Sequence, residues 1–236
     1  IGEKIRQNDD NSAMIKEWLN GPKGVLNEEI VADCDGIISG LYENDVCYRQ
    51  YFAEKLRFIP FPINLDLYKS RVRKAENGVV KFFIGIQKTR SKYKGTDIML
   101  AALKRLQVAY PTVCEIKIAE SVPFDEYVKM LDDSHVILDQ LYSYTPAMNA
   151  LQAMAQGLVV VGGGEEENYQ ILDEKELRPI INVLPAEESV YNQLEQLVLH
   201  PERIEQLSRQ SIEYINRHHS HISVAKQYID FYAKYI

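Results

Sequence analysis

Short apolar runs alternate along the chain with longer segments in which apolar residues recur at helical spacing. The apolar runs predict strands at 79–84, 113–118, 135–138, 158–161 and 180–183. Apolar residues three or four positions apart predict helices between and after these strands, at 98–106, 124–131, 187–199 and 202–217. This alternation favours an α/β fold with a doubly wound parallel sheet over residues 67–217.

Residues 1–66 show a weaker form of the same pattern. They predict two short helices divided at Gly21 and Pro22, followed by a strand, a helix and a strand at 35–39, 43–54 and 56–60. The segment 62–66 has neither periodicity, and we place a domain boundary there. We expect 1–66 to be an incomplete amino-terminal domain whose exposed strand edges favour self-association. At 218–236, apolar residues on one face predict a terminal helix that docks on an apolar surface.

The stretch from Leu138 to Gly164 predicts a strand, a polar loop, a helix and a buried strand. Thr145 fits the N-cap of that helix, Pro146 its first position, and Gly157 the left-handed residue that follows its end. In a parallel sheet such a loop opens onto the ligand crevice, and the free N–H groups of the next helix attract anions. We therefore predict a phosphate site at 143–147. The alternative is an ordinary crossover without a ligand.

Four basic residues follow the predicted strand at 79–84 and lie in one loop, residues 87–95, which we call the basic loop. They are Lys88, Arg90, Lys92 and Lys94. Fixed cations at the carboxyl edge of a sheet neutralise phosphate oxygens, and Gly85 and Gly95 allow the backbone to approach a ligand closely. The pattern favours a diphosphate site, with a solvated charged loop as the alternative.

Two further polar clusters lie near the carboxyl half of the predicted sheet. Residues 162–164 are glycines and 165–167 are glutamates, a combination that suits sugar hydroxyls or, equally, an acidic helix start. His218, His219 and His221 suggest a metal site, but no further ligand completes a helical set. A polar junction between two helices explains the histidines better.

Composition and charge limit the classes of partner. The chain has 236 residues and a formal net charge of −7, which argues against a general nucleic-acid binder. Its three cysteines are an odd number without metal-ligand spacing, as in a reducing compartment. No apolar run approaches a membrane span, and no signal peptide opens the chain. We expect a cytoplasmic protein.

The segments GIQKTRSKYKGTDIMLAAL (85–103) and MNALQAMAQGLVVVGGG (148–164) together resemble the carboxyl-terminal, donor-binding domain of GT-B glycosyltransferases, of the retaining family-four type. The resemblance covers 67–217, while 32–39 and 58–64 resemble the end of the acceptor domain and the linker. It implies a Rossmann-like fold, a nucleotide-diphosphate sugar as donor and no metal cofactor. It also implies that about a hundred residues of the first domain are missing and that the terminal helix packs on the amino-terminal part.

The family's functional positions carry over only in part. Lys94 and Gly95 match a Lys-Gly pair that holds the donor diphosphate, whereas Lys88 follows Gly85 near the spacing of a second basic residue and Arg90 is displaced. By count, the family's two glutamates fall on Tyr144 and Gln152. Gln152 can still bind ribose hydroxyls, but Tyr144 supplies no carboxylate to the transferring sugar.

The resemblance implies sugar transfer with retention to a glycan or lipid-linked acceptor, as in bacterial polysaccharide biosynthesis, with peripheral membrane contact through the missing domain. As a truncated hexosyltransferase the chain itself is expected to be inactive. One alternative is a non-catalytic sugar-nucleotide-binding or interaction module, and another is a nucleotide-sugar 2-epimerase. No catalytic residue is assigned. The expected donor-binding residues are Gly85, Lys88, Arg90, Lys94, Gly95, Tyr144, Thr145, Pro146, Ala147, Gln152, Glu165 and Glu166.

Overall fold

The computed structural model describes residue 16 and residues 21–235, with the side chain of Phe124 excepted. The first of the two short helices predicted at the start of the chain lies outside these residues. The second is helix α1, Pro22–Asp33, with Gly21 as its N-cap and Pro22 at its first position. A proline is well placed there because the first turn of a helix has no intrahelical partner for its N–H.

The rest of the amino-terminal part is one small βαβ unit. Strand β1 (Ile37–Ser39), helix α2 (Tyr42–Phe52) and strand β2 (Leu56–Phe58) follow in order, and the two strands pair in parallel as a two-stranded sheet. Ser39 donates a hydrogen bond of 2.6 Å to the buried Asp45 of α2, which ties the helix to the sheet. The predicted strand, helix and strand are confirmed, with both strands shorter than expected.

A five-stranded parallel sheet forms the larger part. Its strands are β3 (Val80–Ile86), β4 (Cys114–Glu120), β5 (Val136–Leu138), β6 (Val159–Gly162) and β7 (Ile180–Asn182). They lie in the order β4-β3-β5-β6-β7. The chain turns to one side of β3 for β4 and to the other side for β5, so the strand order reverses there. Ligands of open α/β sheets bind at the carboxyl ends of the strands beside such a reversal.

Helices cover both faces of this sheet. The helices that follow β2 are α3 (Ser91–Lys94), α4 (Thr96–Ala109), α5 (Phe124–Asp132), α6 (Met148–Ala155), α7 (Glu166–Ile171), α8 (Glu187–Leu199), α9 (Arg203–His218) and α10 (His221–Tyr232), of which α10 packs elsewhere. Strand β3 shows the two layers: Phe82 and Ile84 pack with α4 and α8, and Phe83 packs with α6 and α9. Because neighbouring strand residues point to opposite faces, an almost continuous apolar strand serves two cores. The predicted doubly wound fold is confirmed.

Helix α10 packs on the small amino-terminal sheet. Val224 and Phe231 of α10 form a buried cluster with Ile59, and Ile38 packs against it. A β-bridge between Ile63 and Ser220 fixes the same junction. Helix α10 is therefore held to the amino-terminal part of the chain by both apolar and backbone contacts.

The three histidines of the predicted polar junction each bind a different protein group. His218 hydrogen-bonds the carboxylate of Glu174 at 2.6 Å, and His221 accepts the backbone N–H of Leu65 at 3.3 Å. His219 is buried with its Nδ1 2.9 Å from the carbonyl of Phe61, and burial lowers its pKa to about 4. These contacts support the junction interpretation.

Helix α4 has Gly95 at its N-cap position and no side-chain cap. The predicted N-cap of helix α6, Thr145, is wrong. Helix α6 begins at Met148, three residues after Thr145, so Pro146 is not its first residue either. Gly157, in contrast, has φ +85 as predicted, and a Cβ there would lie 2.1 Å from the carbonyl oxygen of Arg71.

Cys34, Cys47 and Cys114 are free thiols, and burial raises the pKa of Cys114 to about 11. Among the described residues, no helix is long and apolar enough to cross a membrane.

Candidate functional site

A cavity of about 920 Å³ opens at the carboxyl end of β3, beside the reversal of strand order. The basic loop forms one wall, the residues after β4 form another, and α6 contributes side chains from across the cavity. Five lining residues bear most of the polar chemistry: Lys88, Arg90, Lys94, Asp139 and Gln152. Lys88, Arg90, Lys94 and Gln152 were expected donor-binding residues, and the fold brings them together from the basic loop and helix α6.

The cations of the basic loop differ in how strongly their charge is already neutralised. Lys88 lies 3.6 Å from Glu120 and is 73% exposed. Arg90 and Lys94 form no ion pair with any described carboxylate within 4.0 Å. Lys92 does not line the cavity. Arg90 and Lys94 therefore offer an anion in the cavity positive charge that no ion pair with a described residue neutralises.

The two glycines that flank the basic loop have different roles. Gly85 lines the cavity, and a Cβ there would approach the ring of Tyr127 to 3.2 Å. Gly95 does not line it. Its φ of +74 and a Cβ position only 2.9 Å from Leu141 show that it serves a tight turn packed on the next loop, where Leu141 N–H donates to the carbonyl of Lys94 at 2.8 Å.

The β5–α6 loop (residues 139–147) contains the predicted phosphate site, and its donors bind Glu43 of α2 instead. Oε1 of Glu43 accepts hydrogen bonds from Ser143 Oγ at 2.8 Å, from Tyr144 N–H at 2.5 Å and from Thr145 N–H at 3.0 Å. Oε2 accepts from Thr145 Oγ1 at 2.5 Å. A carboxylate from the amino-terminal part thus fills the anion-accepting backbone that a phosphate would use.

This contact explains several departures from the predicted site. Thr145 does not cap α6 because its hydroxyl binds Glu43. The ring of Tyr144 packs against Tyr42 with centroids 5.6 Å apart. Neither residue lines the cavity, and the same holds for Pro146 and Ala147. The loop joins the two parts of the molecule.

The glycine and glutamate run after β6 is also engaged by protein groups. A Cβ on Gly163 would lie 2.3 Å from the carbonyl oxygen of Ser143, so this glycine allows the β5–α6 loop to pack closely. Glu165 accepts from Asn182 Nδ2 at 2.8 Å, and Glu166 pairs with Arg178 at 3.1 Å. Helix α7 begins at Glu166, which supports the acidic helix start rather than a sugar site.

Among the polar cavity residues that the sequence interpretation missed, three are linked by hydrogen bonds: Tyr127, Asn149 and Asp139. Tyr127 Oη donates to Asn149 Oδ1 at 2.7 Å, and Asn149 Nδ2 donates to Asp139 Oδ1 at 3.1 Å. Burial raises the pKa of Asp139, opposed by the Asn149 hydrogen bond and by the charge of Lys94. Asp139 directly follows an apolar strand, which is a signal that could have identified it. Glu43 had none, because it is 100 residues away from its partner loop.

No described residues form a group of three or more histidine, cysteine or acidic side chains that could hold a metal ion. The chain has an Asp-x-Asp triplet, Asp33 to Asp35, between α1 and β1. It does not line the cavity. The basic residues are therefore the groups that face an anion in this cavity.

A family model described as glycosyl transferase-like matches residues 87–230, which is more than half of the chain. The chain belongs to this glycosyl transferase-like family. The matched segment includes the basic loop, the β5–α6 loop and helix α6. No curated protein sequence matches the chain.

Solved GT-B glycosyltransferases share the fold. Sucrose-phosphate synthase from Thermosynechococcus elongatus is 15% identical with a TM-score of 0.66, over 92% of this chain and 63% of that one. TarM from S. aureus, in complex with UDP, is 12% identical with a TM-score of 0.65, over 86% and 45%. Anabaena HepE, in complex with UDP and glucose, is 11% identical with a TM-score of 0.61, over 85% and 63%. This chain therefore spans less than two thirds of each, and the likeness identifies the Rossmann-like GT-B fold.

Proposed function

We propose that the cavity binds a nucleotide-diphosphate sugar and that the whole protein transfers the sugar, with retention, to a glycan or lipid-linked acceptor. One observation carries this proposal: Arg90 and Lys94, which form no ion pair with a described residue, line a single cavity together with Gln152 at the carboxyl edge of the sheet. Neighbouring structures with UDP bound support the same ligand class.

In this proposal the three cations of the cavity neutralise the diphosphate to different extents. Lys94 and Arg90 donate charge-assisted hydrogen bonds to phosphate oxygens, and Lys88 adds a weaker, solvent-screened attraction. Gln152 binds ribose hydroxyls from α6. The diphosphate does not use the β5–α6 loop, since Glu43 holds its donors. No metal is needed to neutralise the phosphates, so donor binding is expected to survive chelation by EDTA.

Calorimetry with UDP-glucose, UDP and uridine tests the proposal. Lys94→Ala is expected to weaken UDP and UDP-glucose binding by about 1.5–3 kcal/mol, or roughly 10- to 150-fold, because a charge-assisted hydrogen bond is lost. Uridine binding should not change. Lys92→Ala is the matched control, since Lys92 belongs to the same loop but does not line the cavity. Equal affinity of Lys94→Ala and the wild type for UDP would show that the basic loop is a solvated surface.

A non-catalytic sugar-nucleotide binder is the second candidate. It is favoured by Tyr144, which stands where the family resemblance places a carboxylate and whose ring packs on Tyr42 instead. The two functions separate in an assay of UDP release from UDP-glucose by the full-length protein. Turnover with retained anomeric configuration supports the transferase, and tight binding without turnover supports the binder.

A further inference from the structure

Asp139 is the acidic residue of a basic cavity. It is the first residue after β5, it is 6% exposed, and no other described carboxylate lines the cavity. Burying a carboxylate costs free energy unless the group is hydrogen-bonded, so the presence of Asp139 in this cavity needs a physical reason.

A chain of hydrogen bonds fixes this carboxylate in place. Tyr127 donates to Asn149, which donates to Oδ1 of Asp139, and the ring of Tyr127 packs edge-on against Phe83 with centroids 5.0 Å apart. The backbone N–H of Asp139 donates to the carbonyl of Val161 at 3.1 Å. Oδ1 is therefore satisfied, while Oδ2 has no hydrogen-bond donor among the described residues.

The chemistry of an ionised carboxylate limits what Oδ2 can bind. It accepts hydrogen bonds and donates none, so it repels phosphate oxygens and attracts hydroxyl groups. Lys94 lies close enough to Asp139 for its charge to act on the carboxyl group. A ligand that satisfies both residues carries an anion with a hydroxyl-bearing group next to it.

We propose that Asp139 is a specificity-determining residue that accepts a hydroxyl of the sugar unit attached to the diphosphate, either the ribose or the transferred sugar. This inference rests on the proposed binding of a nucleotide-diphosphate sugar. It assigns a second contact, distinct from charge neutralisation, to the first residue of the neighbouring β5–α6 loop.

Asp139→Asn tests it by calorimetry with four probes: pyrophosphate, 2′,3′-dideoxy-UDP, UDP and UDP-glucose. Asparagine keeps the shape but offers a weaker acceptor. We expect pyrophosphate affinity to stay equal or to rise and affinity for the hydroxyl-bearing ligand to fall roughly 10-fold or more, the scale of a charge-assisted hydrogen bond. A loss for UDP-glucose but not UDP assigns the transferred sugar. A loss for UDP but not for the dideoxy analogue assigns the ribose.

Glu120→Gln is the matched control, because Glu120 is a carboxylate beside the cavity that does not line it. It should preserve the preference for the hydroxyl-bearing probes. In the wild type, affinity for those probes should decline as the pH falls and Asp139 takes up a proton, and Asp139→Asn should abolish that decline. Unchanged affinities for all probes in a folded Asp139→Asn protein would overturn the inference. If wild-type protein fails to bind even pyrophosphate or UDP, the proposed function itself is wrong.

Discussion

The basic loop and the β5–α6 loop follow neighbouring strands at the same edge of the sheet. Their polar groups nevertheless have different partners. Lys94 and Arg90 of the basic loop line the cavity and form no ion pair with a described carboxylate. The β5–α6 loop directs two backbone N–H groups and two hydroxyls at Glu43, which accepts all four. The basic loop is available to a ligand, whereas the donors at 143–145 of the β5–α6 loop are satisfied by the chain itself.

The difference shows that position at the ligand edge is not enough to make a phosphate site. Backbone N–H groups at a helix start attract any carboxylate that the fold brings within reach, and α2 brings one. Long cationic side chains at the sheet edge stay open unless an acid lies nearby, as Glu120 does for Lys88. We therefore expect anions to bind at the basic loop, and we expect Glu43 to have a structural role.

Glu174 is a second carboxylate that is hydrogen-bonded by groups of the same chain, and it shows how strongly such contacts can stabilise the fold. It is 3% exposed and accepts hydrogen bonds from the N–H groups of Glu176 and Leu177, from Arg217 and from His218. Burial alone would raise its pKa, but the His218 hydrogen bond, the two backbone N–H groups and Arg217 together lower it from 4.5 to about 2. We expect Glu174→Gln to reduce the free energy of unfolding at pH 7 by about 3 kcal/mol, a larger loss of stability than for any other substitution proposed for this protein.

The sign of the pH dependence follows from the lowered pKa. The unfolded chain takes up a proton on Glu174 near pH 4.5, whereas the folded protein resists until about pH 2. The stabilisation is present above pH 4.5 and is lost as the pH falls towards 2. The difference in the free energy of unfolding between wild type and Glu174→Gln should therefore become smaller between these pH values. Urea unfolding from pH 7 to pH 3 measures it. Glu176→Gln is the control, since that side chain is 76% exposed and shares Arg217; an equal loss in both variants would contradict the assignment.

Removing the carboxylate from the β5–α6 loop should have the next largest effect. Glu43→Gln leaves one acceptor oxygen for four donors, and we expect the free energy of unfolding to fall by about 2 kcal/mol. Thermal unfolding measures the loss. Glu54→Gln is the matched control in the same part of the chain, because Glu54 is exposed and forms no ion pair with any described residue.

Binding of UDP by Glu43→Gln also tests whether the two loops really have different roles. If Glu43 is structural, Glu43→Gln should bind UDP within about twofold of the wild type, because the basic loop is unchanged. A gain of tenfold or more would mean that the freed N–H groups of Tyr144 and Thr145 take up phosphate. Glu43 would then compete with the donor, and both loops would belong to one anion site.

The fold was largely predictable because its elements carry strong local patterns. Strands β5 and β6 are continuous apolar runs, and helix α8 matches its predicted bounds of 187–199 residue for residue. Gly157 was identified because a left-handed residue after a helix favours glycine. These signals lie within a few residues of the feature they determine, so one sequence contains them.

The candidate site was only partly predictable, since tertiary contacts decide which polar groups remain open. Lys94 and Gln152 were found from charge and from family resemblance, and both line the cavity. Thr145 was assigned to a helix cap and to phosphate, and it bonds Glu43 instead. A partner 102 residues away leaves no trace in the local pattern.

The smallest effect on UDP affinity is expected for Lys88, which is more exposed than Lys94. Lys88 is 73% exposed and lies 3.6 Å from Glu120, so solvent and a nearby carboxylate already weaken its pull on an anion. We expect Lys88→Ala to reduce UDP affinity by less than about fivefold at physiological salt, below the loss for Lys94→Ala. Calorimetry at two salt concentrations checks this, because the contribution of an exposed charge should shrink as salt rises. A loss as large as that of Lys94→Ala would mean that Lys88 leaves Glu120 and contacts the phosphate directly.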